Sequence, residues 1–203
     1  MYASTSSRES ATKTNITREE LNALPIRRYE GEIVVVAHGA DLERAAADFA
    51  AETLVGFDTE TRPAFRAGES YLPSVFQAAT ARAVYLFPVQ RIDCAHVLGQ
   101  LLLRPEVVKA GVSTADDLKK LKLLFQFQEA SVVDLGSAAK RHGVKQTGVR
   151  SLAGMFLGFR IPKGTSTSNW AAARLTPQQV AYAATDAWAC RELALAFRGL
   201  GFL

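Results

Sequence analysis

Five side chains in three short segments have the types and spacing to do chemistry. The first segment is Gly56-Phe57-Asp58-Thr59-Glu60, an apolar run that ends in acids. Side chains alternate along a strand, so Asp58 and Glu60 point to one face at its end. Two anionic oxygen donors placed so closely suit a hard cation such as Mg²⁺ or Mn²⁺. An Asp-x-Glu pair is equally at home as a solvated strand end. The second segment, Gly111-Val112-Ser113-Thr114-Ala115-Asp116-Asp117-Leu118, follows a strand-like run and opens a helix. Acids in a first turn favour the positive end of the helix dipole, which accounts well for Asp116 and less well for Asp117. In the third, Tyr182-Ala183-Ala184-Thr185-Asp186, Tyr182 and Asp186 stand four apart and share a helix face. Asp186 lies among alanines, where an unpaired carboxylate would be costly to bury; a bound cation removes that cost, and so does exposure of the face.

Other chemistries find little support. The two cysteines, Cys94 and Cys190, sit in no CxxC pair and near no His pair, so they read as reduced thiols, with no zinc site. His38, His96 and His142 form no triad-like spacing with a nucleophile. What remains is carboxylate, tyrosine or bound-metal chemistry. The net charge of +4 is compatible with an anionic partner without requiring one.

The elements that must position these residues alternate β and α from about residue 31. EIVVVAH (32–38), TLVGFDTE (53–60), LPSVFQAAT (72–80), AVYLFPV (83–89), VVKAGV (107–112) and SVVDL (131–135) are strand candidates. The third and fourth form a hairpin around Ala81-Arg82. Helices are expected over 41–51, 93–103, 114–125, 151–159 and 176–197, the last with Thr176 as N-cap and Pro177 at the first helical position. This order gives an α/β single domain, a mixed sheet flanked by helices, over residues 31–203. Residues 1–30 read as a mostly disordered tail with one short helix announced by Thr17 and Glu20, a capping-box pair. IPKGTSTSNW (161–170) reads as a mobile loop. No apolar run approaches the ~20 residues that span a bilayer, so no membrane contact is expected. The start has no apolar h-region, and the chain is read as cytoplasmic; a Ser/Thr-rich transit peptide is the lesser reading.

The order of the three segments resembles the DEDD exonuclease superfamily, in the subclass whose third motif carries a tyrosine: ribonuclease D, the proofreading domains of family A DNA polymerases and the Werner-syndrome exonuclease domain. VGFDTE, VVKAGVSTADDLKKL and SNWAAARLTPQQVAYAATDAWA carry the likeness, which covers roughly residues 32–198. Ala181 stands where the sister subclass would have a His. The stretch 62–80 is less like those relatives, which leaves the substrate open.

The resemblance implies a ribonuclease H-like fold and a metal-dependent 3′–5′ exonuclease that releases nucleoside 5′-monophosphates with two divalent cations, Mg²⁺ or Mn²⁺. It implies that Asp58 bridges both cations, that Glu60 and Asp186 bind the one activating water, that Asp117 holds the second and that Tyr182 orients the water. Expected partners are single-stranded DNA or RNA 3′ ends, or short oligonucleotides. Candidate substrate contacts are Thr59, Lys120, Lys163, Asn169 and Trp170, with Ser168 and Arg174 beside them. Trp170 fits a base-stacking platform and a core tryptophan equally. Lys119 and Lys122 read as a solvated helix face, and Arg141, Lys145 and Arg150 as a basic group without a specific signal. Phe65 and Leu72 are expected in the core before any wedge against a terminal base. The alternative is a catalytically silent nucleic-acid-binding module of the same fold. No oligomer interface is legible.

Overall fold

A computed structural model describes residues 13–66, 68–164 and 167–203. Its strands are β1 (Glu32–Val35), β2 (Leu54–Thr61), β3 (Pro73–Ala79), β4 (Ala83–Phe87), β5 (Val108–Gly111) and β6 (Val132–Asp134). They form one sheet in the order β1-β4-β3-β2-β5-β6. β3 runs antiparallel to β2 and β4, and the pairs β1/β4, β2/β5 and β5/β6 are parallel. The mixed sheet expected from sequence is therefore present, and β2 and β5 both deliver their carboxyl ends to one edge. In open α/β sheets that edge is where ligands bind.

β2 carries Leu54, Val55, Gly56 and Phe57 fully inside before it emerges at Asp58. It is a strand covered on both faces, which explains its unbroken apolar run. One face packs Phe57, Phe76, Tyr85 and Phe87 against the helices α2 (Gly39–Ala50), α3 (Ala95–Leu103) and α4 (Thr114–Leu121). The opposite face packs Val75, Ala79, Val84 and Leu86 against Ala183, Ala184 and Ala187 of the last helix. That helix (Pro177–Leu200) follows α1 (Arg18–Ala23), α5 (Leu135–Arg141) and α6 (Val149–Leu152), so it is α7. Small side chains let it come very near the sheet. A methyl group at Gly56 would strike the Ala187 carbonyl and the Arg191 amide, so glycine is required at that crossing.

α7 starts where the sequence places it. Thr176 Oγ1 accepts from the Gln179 amide at 3.2 Å, the Gln179 side chain accepts from the Thr176 amide at 2.9 Å, and Pro177 occupies the first turn. The helix expected over 151–159 is different. α6 ends at Leu152 and is followed by a π-helical turn (Ala153–Leu157) that Gly158 terminates at φ +70°. Apolar periodicity registers the buried side chains of Leu152 and Ala153 but cannot tell an α-helical from a π-helical turn. The helix expected over 114–125 stops at Leu121, and residues 122–124 continue as turns.

Residues 1–12, twelve of the thirty in the expected tail, lie outside the described residues. Residues 13–30 hold the anticipated short helix, α1, with Thr17 and Glu20 in a reciprocal capping box. They also lie on the domain. The Lys145 amide donates to the Thr14 carbonyl at 2.8 Å, the Ile16 side chain is buried, and Ile26 pairs with Arg160 in an isolated parallel bridge. No helix among the described residues is long and apolar enough to cross a membrane.

Candidate active site

The site lies where β2 emerges between α4 and α7. Asp58 and Glu60 share the α7 face of β2, and Asp186 projects toward them from the buried side of α7. One carboxylate oxygen from each of the three lies within 4.8 Å of the other two. Asp186 Oδ1 is buried and has no hydrogen-bond partner among the described residues. A buried, unpartnered carboxylate oxygen beside two other carboxylates is unfavourable without a cation, so the donor set fits a divalent metal ion.

Asp117 joins from the other side of the sheet edge. Asp134 helps to set its helix: Oδ2 accepts from the Thr114 amide at 2.9 Å and Oδ1 from the Ser137 amide at 2.7 Å, so one carboxylate anchors both α4 and α5. Ser113 turns the chain into α4 in the left-handed region at φ 58°, a conformation costing about 1 kcal/mol in a non-glycine residue. Asp117 then accepts a hydrogen bond from the Thr59 hydroxyl at 2.7 Å. Thr59 was a candidate substrate contact; its hydroxyl orients a carboxylate. Thr59→Val is expected to weaken metal binding about tenfold, the usual cost of losing a group that orients a ligand. Mn²⁺ titration measures it, and an unchanged affinity would separate Asp117 from the metal set.

The electrostatics agree with this geometry. Burial first, then the charges of Asp186 and Asp117, hold Asp58 well above the ordinary carboxylate range. Burial and then Asp58, Asp186 and Asp117 push Glu60 up to about 9. Asp186 is raised to about 6 by burial, with the Tyr182 hydroxyl and the Arg150 guanidinium pulling it back down. Asp117 is raised by burial and partly restored by Thr59. Burial and then the charges of Asp186 and Glu60 hold the Tyr182 phenol well above its ordinary range.

The folded, metal-free protein keeps protons on Glu60 and Asp186 at pH values where the unfolded chain, titrating near ~4, has released them. The folded state then binds more protons, so stability falls as pH rises from about 4 toward 9. In chelator the melting temperature should drop across that window. Glu60→Gln should flatten the slope, and Mn²⁺ should reverse it. Melts at pH 5, 7 and 9 test this; a slope unaltered in Glu60→Gln would show that Glu60 keeps no proton.

Other expected contacts are redistributed. Trp170, expected partly as a stacking platform, is 1% exposed and packs in the core under α7, with its ring centroid 6.1 Å from that of Tyr182. It cannot present a face to a base; the apolar residues around it bury the indole. Asn169 is exposed, accepting through its side-chain oxygen from the Ala171 amide at 3.2 Å and through its backbone carbonyl from Gln179 at 3.3 Å. Lys120 pairs with Asp116 at 2.7 Å on the exposed side of α4. Lys163 is exposed and lines, with Arg28, Gln178 and Tyr182, a cavity of about 470 Å³. Arg174 is exposed. Phe65, expected in the core, is 82% exposed, because the segment after β2 leaves the sheet before it. Leu72 is half-buried. The mobility expected of residues 161–170 falls partly on Thr165 and Ser166, outside the described residues.

Two residues near the site carried no specific signal in the sequence. Arg150, read only as one of a loose basic group, acts electrostatically on Asp186 and donates from Nε to the Ile161 carbonyl at 3.1 Å. Gln77 stands opposite Asp58 in the β2/β3 register and is fully buried, with neither amide atom partnered among the described residues. A lone Gln within the apolar run PSVFQAA was the available hint.

Residues 33–200 match a family model described as 3′–5′ exonuclease. The chain belongs to this 3′–5′ exonuclease family. Within the exonuclease family it is 28% identical to the human exonuclease mut-7 homolog over 199 residues, covering 84% of this chain and 22% of that protein. It is 31% identical to the mouse bifunctional 3′–5′ exonuclease/ATP-dependent helicase WRN, covering 82% of this chain and 13% of that protein. It is 34% identical to ribonuclease D of Acidiphilium cryptum, covering 68% of this chain and 35% of that protein. The chain thus spans a minor part of these relatives. In fold it is similar to the Aedes aegypti Nibbler EXO domain, with a TM-score of 0.76 at 22% identity over 88% of this chain and 93% of that one. It is also similar to Escherichia coli RNase D, with a TM-score of 0.72 at 20% identity over 86% of this chain and 47% of that one. The likeness to the exonuclease family spans both strand and helix contributors to the carboxylate cluster.

Proposed function

We propose that this domain is a metal-dependent 3′–5′ exonuclease in which Asp58, Glu60, Asp117 and Asp186 hold two divalent cations, Mg²⁺ or Mn²⁺. The observation that carries the reading is the trio Asp58, Glu60 and Asp186, with oxygens within 4.8 Å of one another. When bound, such ions supply an activated water and neutralise charge on the phosphodiester and its leaving oxygen.

The chain's own residues do the rest. Asp58 lies centrally and would serve both ions. Glu60 and Asp186 would complete one ion site, and Asp117, held by Thr59, would complete the other. Tyr182, whose hydroxyl is directed to Asp186, would hydrogen-bond the attacking water. With its phenol raised, it orients that water and does not take its proton. Lys163 and Arg28, flanking Tyr182 in its cavity, would meet substrate phosphates. Attack at the last linkage would release a nucleoside 5′-monophosphate.

The substrates proposed are single-stranded DNA or RNA 3′ ends, or short oligonucleotides. A solved relative by fold, Trypanosoma brucei RNase D in complex with RNA U12, supports RNA among them; it is 18% identical, with a TM-score of 0.74 over 84% of this chain and 63% of that one. The test is degradation of 5′-labelled single-stranded DNA, RNA and dinucleotides in Mn²⁺, beside Asp58→Asn. A ladder shortening from the 3′ end that chelator abolishes is expected. Tight binding without cleavage of any substrate would instead indicate a silent binding module.

A further inference from the structure

We infer that Gly164 is a positioning residue for Tyr182: it holds the tyrosine ring in the orientation that aims its hydroxyl at the carboxylate cluster. The inference rests on the role proposed above for Tyr182. The backbone of Gly164 lies directly against the Tyr182 ring, so a Cβ built there would fall among Cγ, Cδ2 and Cε2. The two nearest, Cδ2 and Cε2, form one edge of the rigid ring. The ring could not yield by bending at a flexible tip; it would have to turn about its side-chain torsions, moving the hydroxyl away from Asp186. Gly164 does not occupy the left-handed region, so no backbone demand explains a glycine here. The need is for closeness to Tyr182.

The segment carrying Gly164 is fastened on both sides of it. Upstream, the Arg160 amide donates to the Pro25 carbonyl at 2.9 Å, and the Arg27 amide donates to the Arg160 carbonyl at 3.1 Å. Arg160 Nε reaches the Leu24 carbonyl at 3.2 Å, and Arg150 Nε holds the Ile161 carbonyl at 3.1 Å. Downstream, Gln179 Nε2 donates to Ser168 Oγ at 2.9 Å and to the Asn169 carbonyl at 3.3 Å. Trp170, from the end of the same segment, touches the Tyr182 ring as well. Residues 160–164 are therefore a strap over Tyr182, with Gly164 on the ring. Its upstream anchor is residues 24–27, which precede the region matched by the family model. One helical turn further along, the Tyr29 amide donates to Thr185 Oγ1 at 3.1 Å, beside Asp186.

The test is a double-mutant cycle of Gly164→Ala and Tyr182→Phe, read by single-turnover rate on a labelled oligonucleotide, Mn²⁺ affinity and melting temperature. Gly164→Ala is expected to lower the rate about 10- to 100-fold, the scale of loss when a reacting group is displaced by about 1 Å. Metal affinity should stay near the parent value, since every carboxylate is retained, and the melting temperature separates any loss of folding from the loss of rate. The double variant should be no slower than Tyr182→Phe alone, because the strap acts only through the hydroxyl that Phe lacks. Gly199→Ala, whose Cβ meets nothing within 4 Å, serves as the control and should leave the rate unchanged. A normal rate in Gly164→Ala with a slow Tyr182→Phe would overturn the strap while leaving Tyr182 in place. Multiplicative losses in the double variant would also overturn it. An unchanged rate in Tyr182→Phe would remove the role of Tyr182 and the strap's role with it.

Discussion

Asp58→Asn is expected to slow hydrolysis at least about a thousandfold while leaving the fold intact. Asn keeps the shape of the side chain but removes the charge at the centre of the carboxylate cluster. Losing several kcal/mol of charge stabilisation corresponds to that factor. The same substitution relieves repulsion on Glu60, because Asp58 is the charge that raises it most after burial. The metal-free variant should therefore melt no lower than the parent, and the stabilisation that Mn²⁺ gives the parent should largely vanish. Paired measurements of turnover and of melting temperature with and without Mn²⁺ check both halves. Turnover within a few-fold of the parent would sink the assignment of Asp58 to the metal set. Lost turnover with an undiminished Mn²⁺ shift would place the metal elsewhere.

Gly56→Ala should cost about 3 kcal/mol of stability and most of the activity at once. The added methyl group meets the Ala187 carbonyl, the Arg191 amide and the Arg191 Cβ. The first two are backbone atoms of α7, which cannot turn aside, so strand and helix must separate. Asp58 lies two residues beyond Gly56 and Asp186 lies one residue before Ala187. Separation of β2 from α7 thus widens the carboxylate cluster directly. Chemical denaturation would measure the stability loss, and Mn²⁺ titration of the still-folded fraction would show weakened metal binding. A variant as stable as the parent would mean that α7 does not ride on β2 as closely as described. A destabilised variant with parental metal affinity would uncouple the crossing from the site.

The two predictions differ in what they disturb. Asp58→Asn alters charge within an intact frame, whereas Gly56→Ala alters the frame and leaves every carboxylate in place. Together they separate the donor set from the packing that assembles it.

What the sequence determined by itself was local. The two-residue period of a strand put Asp58 and Glu60 on one face, the helical period put Tyr182 over Asp186, and Thr176 with Pro177 marked the start of the helix that carries them. These relations are set by covalent spacing, so they survive without knowledge of the fold. The family resemblance extended them to Asp117. Tertiary structure alone decided contacts between residues far apart in the chain. Thr59 orients Asp117 across 58 positions, Arg150 acts on Asp186 from the helix before the strap, and the Gly164 backbone lies on Tyr182. Trp170 took the core place that was one of its two expected ones, and Phe65, expected in the core, is exposed, for the same reason. Hydrophobicity is identical in kind for a core ring and an exposed one, and only the path of the chain determines which is covered. Residues 13–29 make the point again: polar and without long periodicity, they read as tail, yet backbone hydrogen bonds to 145 and 160 hold them to the domain. Backbone groups pair without regard to side-chain type, so no pattern in the sequence announces them.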